Sequence, residues 1–294
     1  MLLNKRISIL DFIRAIKSDL VIITLYAIAV GIADDAAILS SMNVPIPITS
    51  ALGTAVVLLL AFRTNQSYER WWEARVIWGA IVNDSRTLVR QMQSFCSKDT
   101  PDVFVKDIAE RQIIWCYALG ESLRRQPFSD RVQAYLTAKG IEADNVPNAL
   151  LSEHSQQIKD AYESEWINSF QQIQLDSTVA RLTDAMGKCE RIKNTVFPKS
   201  YSLLIHFIIY VFATLLPFGL SDENLGIEIV LTFIIPTVFI AIEKTSILMQ
   251  DPFENKPPDT PMTALAETIE LNILQMTGDK RPFQKTPVTT YYQL

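Results

Sequence analysis

The chain has 294 residues, of which 49% are hydrophobic and 20% charged, and its formal net charge is −5. A mean hydropathy of +0.15 is too apolar for an ordinary soluble protein, and the charge content is too high for one lying wholly in a membrane. The acidic balance excludes nucleic acid as the principal partner.

In chain order, Met1 to Asp19 carries four bases. It places Ile9, Phe12, Ile13 and Ile16 at i, i+3, i+4 and i+7, one helical face. Two readings fit: an amphipathic helix at the membrane interface, or a short helix packed on a soluble core. No small-residue cleavage site follows, so no secretory leader is expected. Leu20 to Ala33 is uncharged but only 14 residues long. It reaches spanning length by borrowing a turn on either side. Asp34 and Asp35 mark its end, and the Asn43 to Pro47 stretch reads as a loop.

The stretch Thr49 to Trp78 dominates the chain. Ala51 to Phe62 holds no charge in 12 residues, and then Arg63, Glu69, Arg70, Glu73 and Arg75 follow. No Gly or Pro interrupts it after Gly53, so one helix is expected to leave an apolar medium and run on into water. From Ala51 to Trp78 it would measure roughly 40 Å at 1.5 Å per residue, longer than the ~30 Å hydrocarbon core of a bilayer. Its amphipathic pattern continues through Met92 to about Phe95. Further helices are expected over Asp102 to Arg125, Asp130 to Lys139 and within Asn148 to Asn194, with breaks at Pro101, Gly140 and Pro147.

Tyr201 to Leu220 contains no acid, Lys or Arg, and Leu225 to Ile242 only Glu228. These two runs, joined by Ser221 to Asn224, read as a pair of spans. A last helix is expected over Met262 to Thr277, and the residues from Gly278 onward read as an arm or as disorder. Nothing sustains strand alternation, so the expected fold is all-α.

Charge placement sets the topology. Four spans leave five flanks, and all 27 Lys and Arg fall in three of them. Four precede Leu20, 18 lie in Arg63 to Lys199, and five follow from Lys244. The other two flanks hold acids only. The positive-inside rule then puts both termini and the large basic flank in the cytosol, as for an inner-membrane protein. The expected division is 1–75 for the N-terminal helix and first two spans, 76–200 for a cytosolic helical region, 201–242 for two further spans, and 243–294 for a cytosolic tail.

Residues that could carry chemistry are few. His154 and His206 are the only histidines, which excludes a His-rich metal site. No Gly-rich phosphate loop, HExxH or GxSxG occurs, and no enzyme is expected. Cys96, Cys116 and Cys189 show no CxxC spacing and read as packed or free thiols. His206 reads as neutral and hydrogen-bonded, Glu228 as lying near the outer surface. Arg63, Glu69, Arg70, Glu73 and Arg75 read as a solvated face with local ion pairs. Thr54, Leu58 and Phe62 lie at i, i+4 and i+8, on one face. That face serves either ordinary helix packing or, repeated by symmetry around an axis, an apolar constriction.

Several motifs carry a family resemblance. Phe62 is followed eight residues on by Arg70-Trp71-Trp72. Cys189-Glu190-Arg191 and Val196-Phe197-Pro198-Lys199-Ser200-Tyr201 precede the third span, and Asp251-Pro252-Phe253 follows the fourth. Together, in this order, they resemble the bestrophins. The resemblance implies a homopentameric, passive ion channel in a lipid bilayer, with no cofactor and four transmembrane helices per subunit around a central pore. It implies that Thr54, Leu58 and Phe62 line the pore neck, Thr54 being smaller than the residue the family usually has there. Counting without gaps from the later motifs puts Phe170 at the cytosolic aperture. Arg70, Trp71, Trp72, Asp251, Pro252 and Phe253 would fix the structural junction between spans and cytosolic helices. Animal members bind calcium after their Pro-Phe pair. Here Lys256, Pro257 and Pro258 interrupt Asp251, Glu254 and Asp259, so no metal is expected.

The family is known for anions such as chloride. The outer Asp34, Asp35, Asp222 and Glu223 would attract cations, so appreciable passage of monovalent cations is also expected. The alternative of a different class is a membrane-anchored helical scaffold or sensor with no ion path.

Overall fold

The computed structural model describes residues 9–35, 44–97, 100–195, 197–220 and 225–283. Among them the chain is helical, without strands, in the order α1 (Ile9–Asp35), α2 (Ile46–Phe95), α3 (Asp102–Leu123), α4 (Asp130–Lys139), α5 (Val146–Glu163), α6 (Ser169–Asn194), α7 (Lys199–Leu215), α8 (Leu225–Gln250) and α9 (Met262–Thr277).

These helices form two compact units. Among the described residues the first comprises Trp71 to Thr195 and the segment from Asp251 to Phe283. It holds the C-terminal half of α2, then α3 to α6 and α9. Its core is built on fully buried Trp78, Ile81, Leu88, Trp115, Leu150 and Ile269. The breaks in this unit are local events. Gly140 takes the left-handed conformation (φ 64°) that closes α4, a position where a residue with a Cβ is strained. Asn145 accepts a hydrogen bond from the Asn148 N–H and Pro147 occupies the first turn of α5, both good helix starts. Beyond α9, Arg281 pairs with Glu110 at 2.5 Å. Residues 284–294 of the expected arm lie outside the described residues.

Among the described residues the second unit comprises α1, α2 as far as Arg70, α7 and α8. Its core is aliphatic and aromatic: Ile23, Val56, Leu60, Ile209, Phe212 and Phe239. Helices α2 and α7 approach closely at Gly53, where an added Cβ would come 3.1 Å from the Phe212 ring. The sequence reading separates an interfacial helix ending at Asp19 from a span starting at Leu20. In the structure one helix of 27 residues runs through both. Asp19 does not end it, because its carboxylate meets Lys244 of α8 at 3.2 Å. The part of the expected interfacial helix before Ile9 lies outside the described residues.

By length and composition, two helices among the described residues can cross a membrane: α2, and α8 over Val230–Gln250. The expected span Tyr201 to Leu220 is not one continuous helix. Helix α7 has 17 residues and a 3-10 turn over Pro217–Gly219 follows it, because Pro217 lacks the N–H that would continue the ladder.

Candidate functional site

The apolar half of α2 has two faces. Val56, Leu60, Arg63 and Ser67 are buried and point into the second unit. Thr54, Leu58 and Phe62 lie on the other side, with Leu58 65% and Phe62 56% exposed. The polar end of Thr54 is turned back, its hydroxyl donating to the Ser50 carbonyl at 2.9 Å. Thr54, Leu58 and Phe62 thus share an apolar stripe left largely exposed within the second unit. Beside the stripe, α2 and α8 enclose an apolar groove of about 500 Å³ lined by Val57, Leu60, Ala61 and Phe239. Phe62 is steadied at one edge: its ring meets Tyr201 of α7 edge-on, centroids 6.0 Å apart. Tyr201 in turn donates its hydroxyl to the Leu59 carbonyl at 3.2 Å.

Arg63 departs from the sequence reading. It is not on a solvated face: only 2% of it is exposed, and Nη1 donates to Oε1 of Glu243 on α8 at 2.8 Å. Glu243 is equally buried, and its other oxygen lies 3.2 Å from Nε2 of His206 on α7. The second ring nitrogen of His206 lies 3.1 Å from the Ser202 carbonyl. Both ring nitrogens therefore face acceptors; a neutral imidazole donates to one of them, an imidazolium to both. The hydrogen bond expected of His206 is present, and the carboxylate beside it was missed. The uncharged run stops at Ile242, so Glu243 reads as the start of a solvated flank. The available signal is that Glu243 is the only acid between Glu228 and Asp251, and an intramembrane cation or histidine needs one.

The acids of the α2 stretch are at least partly exposed, and their partners are not the local ion pairs expected. Asn65 donates to Glu69 at 2.7 Å, and Glu73 accepts from Arg191 at 2.7 Å. Arg70 is half-buried. Trp71 donates its indole N–H to the Pro258 carbonyl at 2.6 Å, while Trp72 is 53% exposed. Asp222 and Glu223 lie outside the described residues, and Asp34, Asp35 and Glu228 are described by backbone alone.

Phe170 opens α6 in the first unit. Asn168 and Gln171 form a reciprocal capping box around it, which fixes where the helix starts. Its ring is 83% exposed, with Ile173 one turn on at 67%. Phe170 and the α2 stripe are thus both exposed, as are other large apolar side chains such as Val103 in the first unit and Leu203 and Phe207 in the second.

The segment after α8 does not suit the calcium ion that the family resemblance brings into question. Asp251 pairs with Lys193 at 2.7 Å and accepts the Phe253 N–H at 3.1 Å. Lys256 contacts Glu254. Asp259, 2% exposed, accepts the N–H groups of Glu254 and Lys256 at 2.6 and 3.0 Å. Burial raises the Asp259 carboxyl above its ordinary range, although those two bonds oppose the shift. Pro252 is buried and Phe253 fully so. Asp251, Glu254 and Asp259 Oδ2 are thus taken up by ammonium and amide groups. Asp259 Oδ1 alone is buried without a hydrogen-bond partner among the described residues, and a single free oxygen beside Lys256 does not make a site for a divalent cation.

Comparison with known proteins follows the same lines. The profile of the Bacterial/Fungal Bestrophin protein family matches residues 6–275. The voltage-dependent anion channel-forming protein YneE of Escherichia coli (strain K12) is 29% identical over 250 residues, covering 83% of this chain and 81% of that protein. The voltage-dependent anion channel-forming protein alr2987 of Nostoc sp. (strain PCC 7120) is 29% identical over 257 residues, covering 82% of each. A crystal structure of a bacterial bestrophin homologue from Klebsiella pneumoniae superposes with a TM-score of 0.81 at 25% identity, covering 90% of this chain and 98% of that one. The matched region contains all the motifs from Phe62 to Phe253, and the chain belongs to the bestrophin family.

Proposed function

We propose that this chain is one subunit of a passive anion channel in the cell membrane. The observation that carries the reading is the apolar stripe Thr54, Leu58 and Phe62, exposed on a helix whose opposite face is packed. A monomer gains nothing by exposing it to water. In a ring of five copies it would enclose a narrow apolar neck, where water is unstable until the tube widens or wets. The names of the relatives support anions as the permeant class. Four spans per subunit, α1, the apolar half of α2, α7 with its 3-10 turn, and α8, surround the path. Both termini lie in the cytosol, where the basic flanks are. Phe170 forms a second, cytosolic aperture, and Arg70 to Trp72 with Asp251 to Phe253 anchor the chain where it leaves the lipid. Conduction runs down the electrochemical gradient and needs no cofactor.

The test is single-channel recording of the purified protein in planar bilayers under an asymmetric salt gradient. Reversal potentials that follow chloride support the anion reading. Potentials that follow potassium assign the channel to cations, as the acidic outer loops favour. Liposomes with no flux, and none gained by Leu58→Ala or Phe62→Ala, favour a membrane-anchored scaffold.

A further inference from the structure

The buried pair Arg63–Glu243 has a cost that stability does not account for. Two charges at 2% side-chain exposure sit beside a core of aliphatic and aromatic residues. Such pairs rarely stabilise a fold more than apolar residues of the same volume would. What they supply is direction. Contacts among Val56, Leu60, Ile205 and Ile209 turn the packed face of α2 inward, and the buried Ser67 and Ser246 hydroxyls meet at 3.1 Å. Apolar attraction, being non-directional, leaves the finer rotation to polar contacts. A guanidinium–carboxylate contact is directional.

Its geometry leads to the constriction. Arg63 is the next residue after Phe62. Its guanidinium lies 5.2 Å from the centroid of the Phe197 ring, Phe197 meets Tyr201 edge-on at 5.7 Å, and Tyr201 meets Phe62 at 6.0 Å. The pair therefore reaches the Phe62 ring twice, once through the backbone and once through two aromatic rings. The carboxylate is itself held on both oxygens, by Arg63 and beside His206.

We infer that Arg63 and Glu243 are positioning residues that set the rotation of α2 and so the orientation of the Phe62 ring at the pore neck. The inference rests on the channel reading above for its consequence, though not for its geometry.

The test compares wild type, Arg63→Lys and the double variant Arg63→Gln/Glu243→Gln, each full-length. The double variant strands no charge, so it is the one expected to fold; thermal midpoints verify this. Unitary conductance is recorded in planar bilayers. Independently, 4-fluorophenylalanine placed at position 62 reports the ring environment by 19F NMR in detergent or nanodiscs. The expected result is a shifted or broadened fluorine resonance and a conductance changed by about two-fold or more in the double variant. Arg63→Lys keeps the charge and stays close to wild type in both. An unmoved resonance with unchanged conductance in the double variant overturns the inference. If that double variant does not fold, the apolar pair Arg63→Met/Glu243→Leu, which likewise strands no charge, decides by the same two outcomes. If wild type carries no current, the channel reading falls, and the fluorine resonance judges the positioning role by the same two outcomes.

Discussion

Lys193 near the end of α6 and Asp251 just past α8 form an ion pair of 2.7 Å, with the lysine side chain 10% exposed. The first carboxylate of the segment in which animal bestrophins hold calcium is thus already neutralised by a residue 58 positions earlier in the chain. Lys256 takes Glu254 in the same way. Calcium at about 1 mM, enough to saturate any but the weakest protein sites, is expected to leave the thermal midpoint and the open probability unchanged. A calcium-dependent rise in the midpoint, read by differential scanning fluorimetry against a magnesium control, would refute this.

How far the fold was legible depended on punctuation. The continuous α2 followed from the lack of Gly and Pro after Gly53, and α4 and α9 ended where Gly140 and Gly278 take positive φ. Where the breaker was weaker the reading erred. Asp19 looked like a boundary, and Pro217 was taken as part of a continuous helix that in fact ends before it. The buried site was harder. Arg63 and Glu243 are 180 residues apart, and each looks by itself like a charge at the end of an apolar run. Only tertiary packing turns them towards each other. Phe170 had no periodic signal at all and was reached by counting from the motifs of the family resemblance.

The exposed stripe of α2 yields a separable prediction. Leu58 lies outside the packed core of its own unit, so Leu58→Ala leaves no cavity there. A substitution of this kind shifts stability by about 0.5 kcal/mol or less. Ion flux from loaded liposomes is expected to rise in Leu58→Ala and in Phe62→Ala, because each relaxes an apolar constriction. The check is the pair of measurements: flux increased, thermal midpoint held. A fall in both would make the stripe a packing face.

The three cysteines are free, Cys96 half-buried and the others buried. Burial pushes the Cys116 and Cys189 thiols up to about 12, and it also raises Cys96, against a hydrogen bond from Thr100. The thiolate is the reactive form, so at neutral pH all three are expected to react slowly. Titration with Ellman's reagent should label at most Cys96 in the folded protein and all three after denaturation. Rapid labelling of Cys116 or Cys189 without unfolding would contradict this placement.

His154 sets an acid limit on the first unit. It is fully buried in α5, and neither ring nitrogen has a hydrogen-bond partner among the described residues. Burial, and then the charge of Arg111, hold its pKa well below the ordinary value of 6.5. Arg111 is not free to leave, since it is fixed by Asp107 at 2.7 Å and by Gln157 at 2.6 Å. The folded ring thus stays neutral where the unfolded one takes up a proton. Above the unfolded pKa both states are neutral and nothing is lost. As the pH falls through about 6.5 the unfolded state binds more protons, and stability declines until the folded pKa is reached. The slope approaches about 1.4 kcal/mol per pH unit for one such group. Thermal midpoints measured from pH 7.5 down to 5 should therefore fall in wild type and fall less in His154→Leu, which removes the titrating ring and keeps an apolar side chain of similar reach. Equal slopes in the two proteins would place the acid sensitivity elsewhere in the chain.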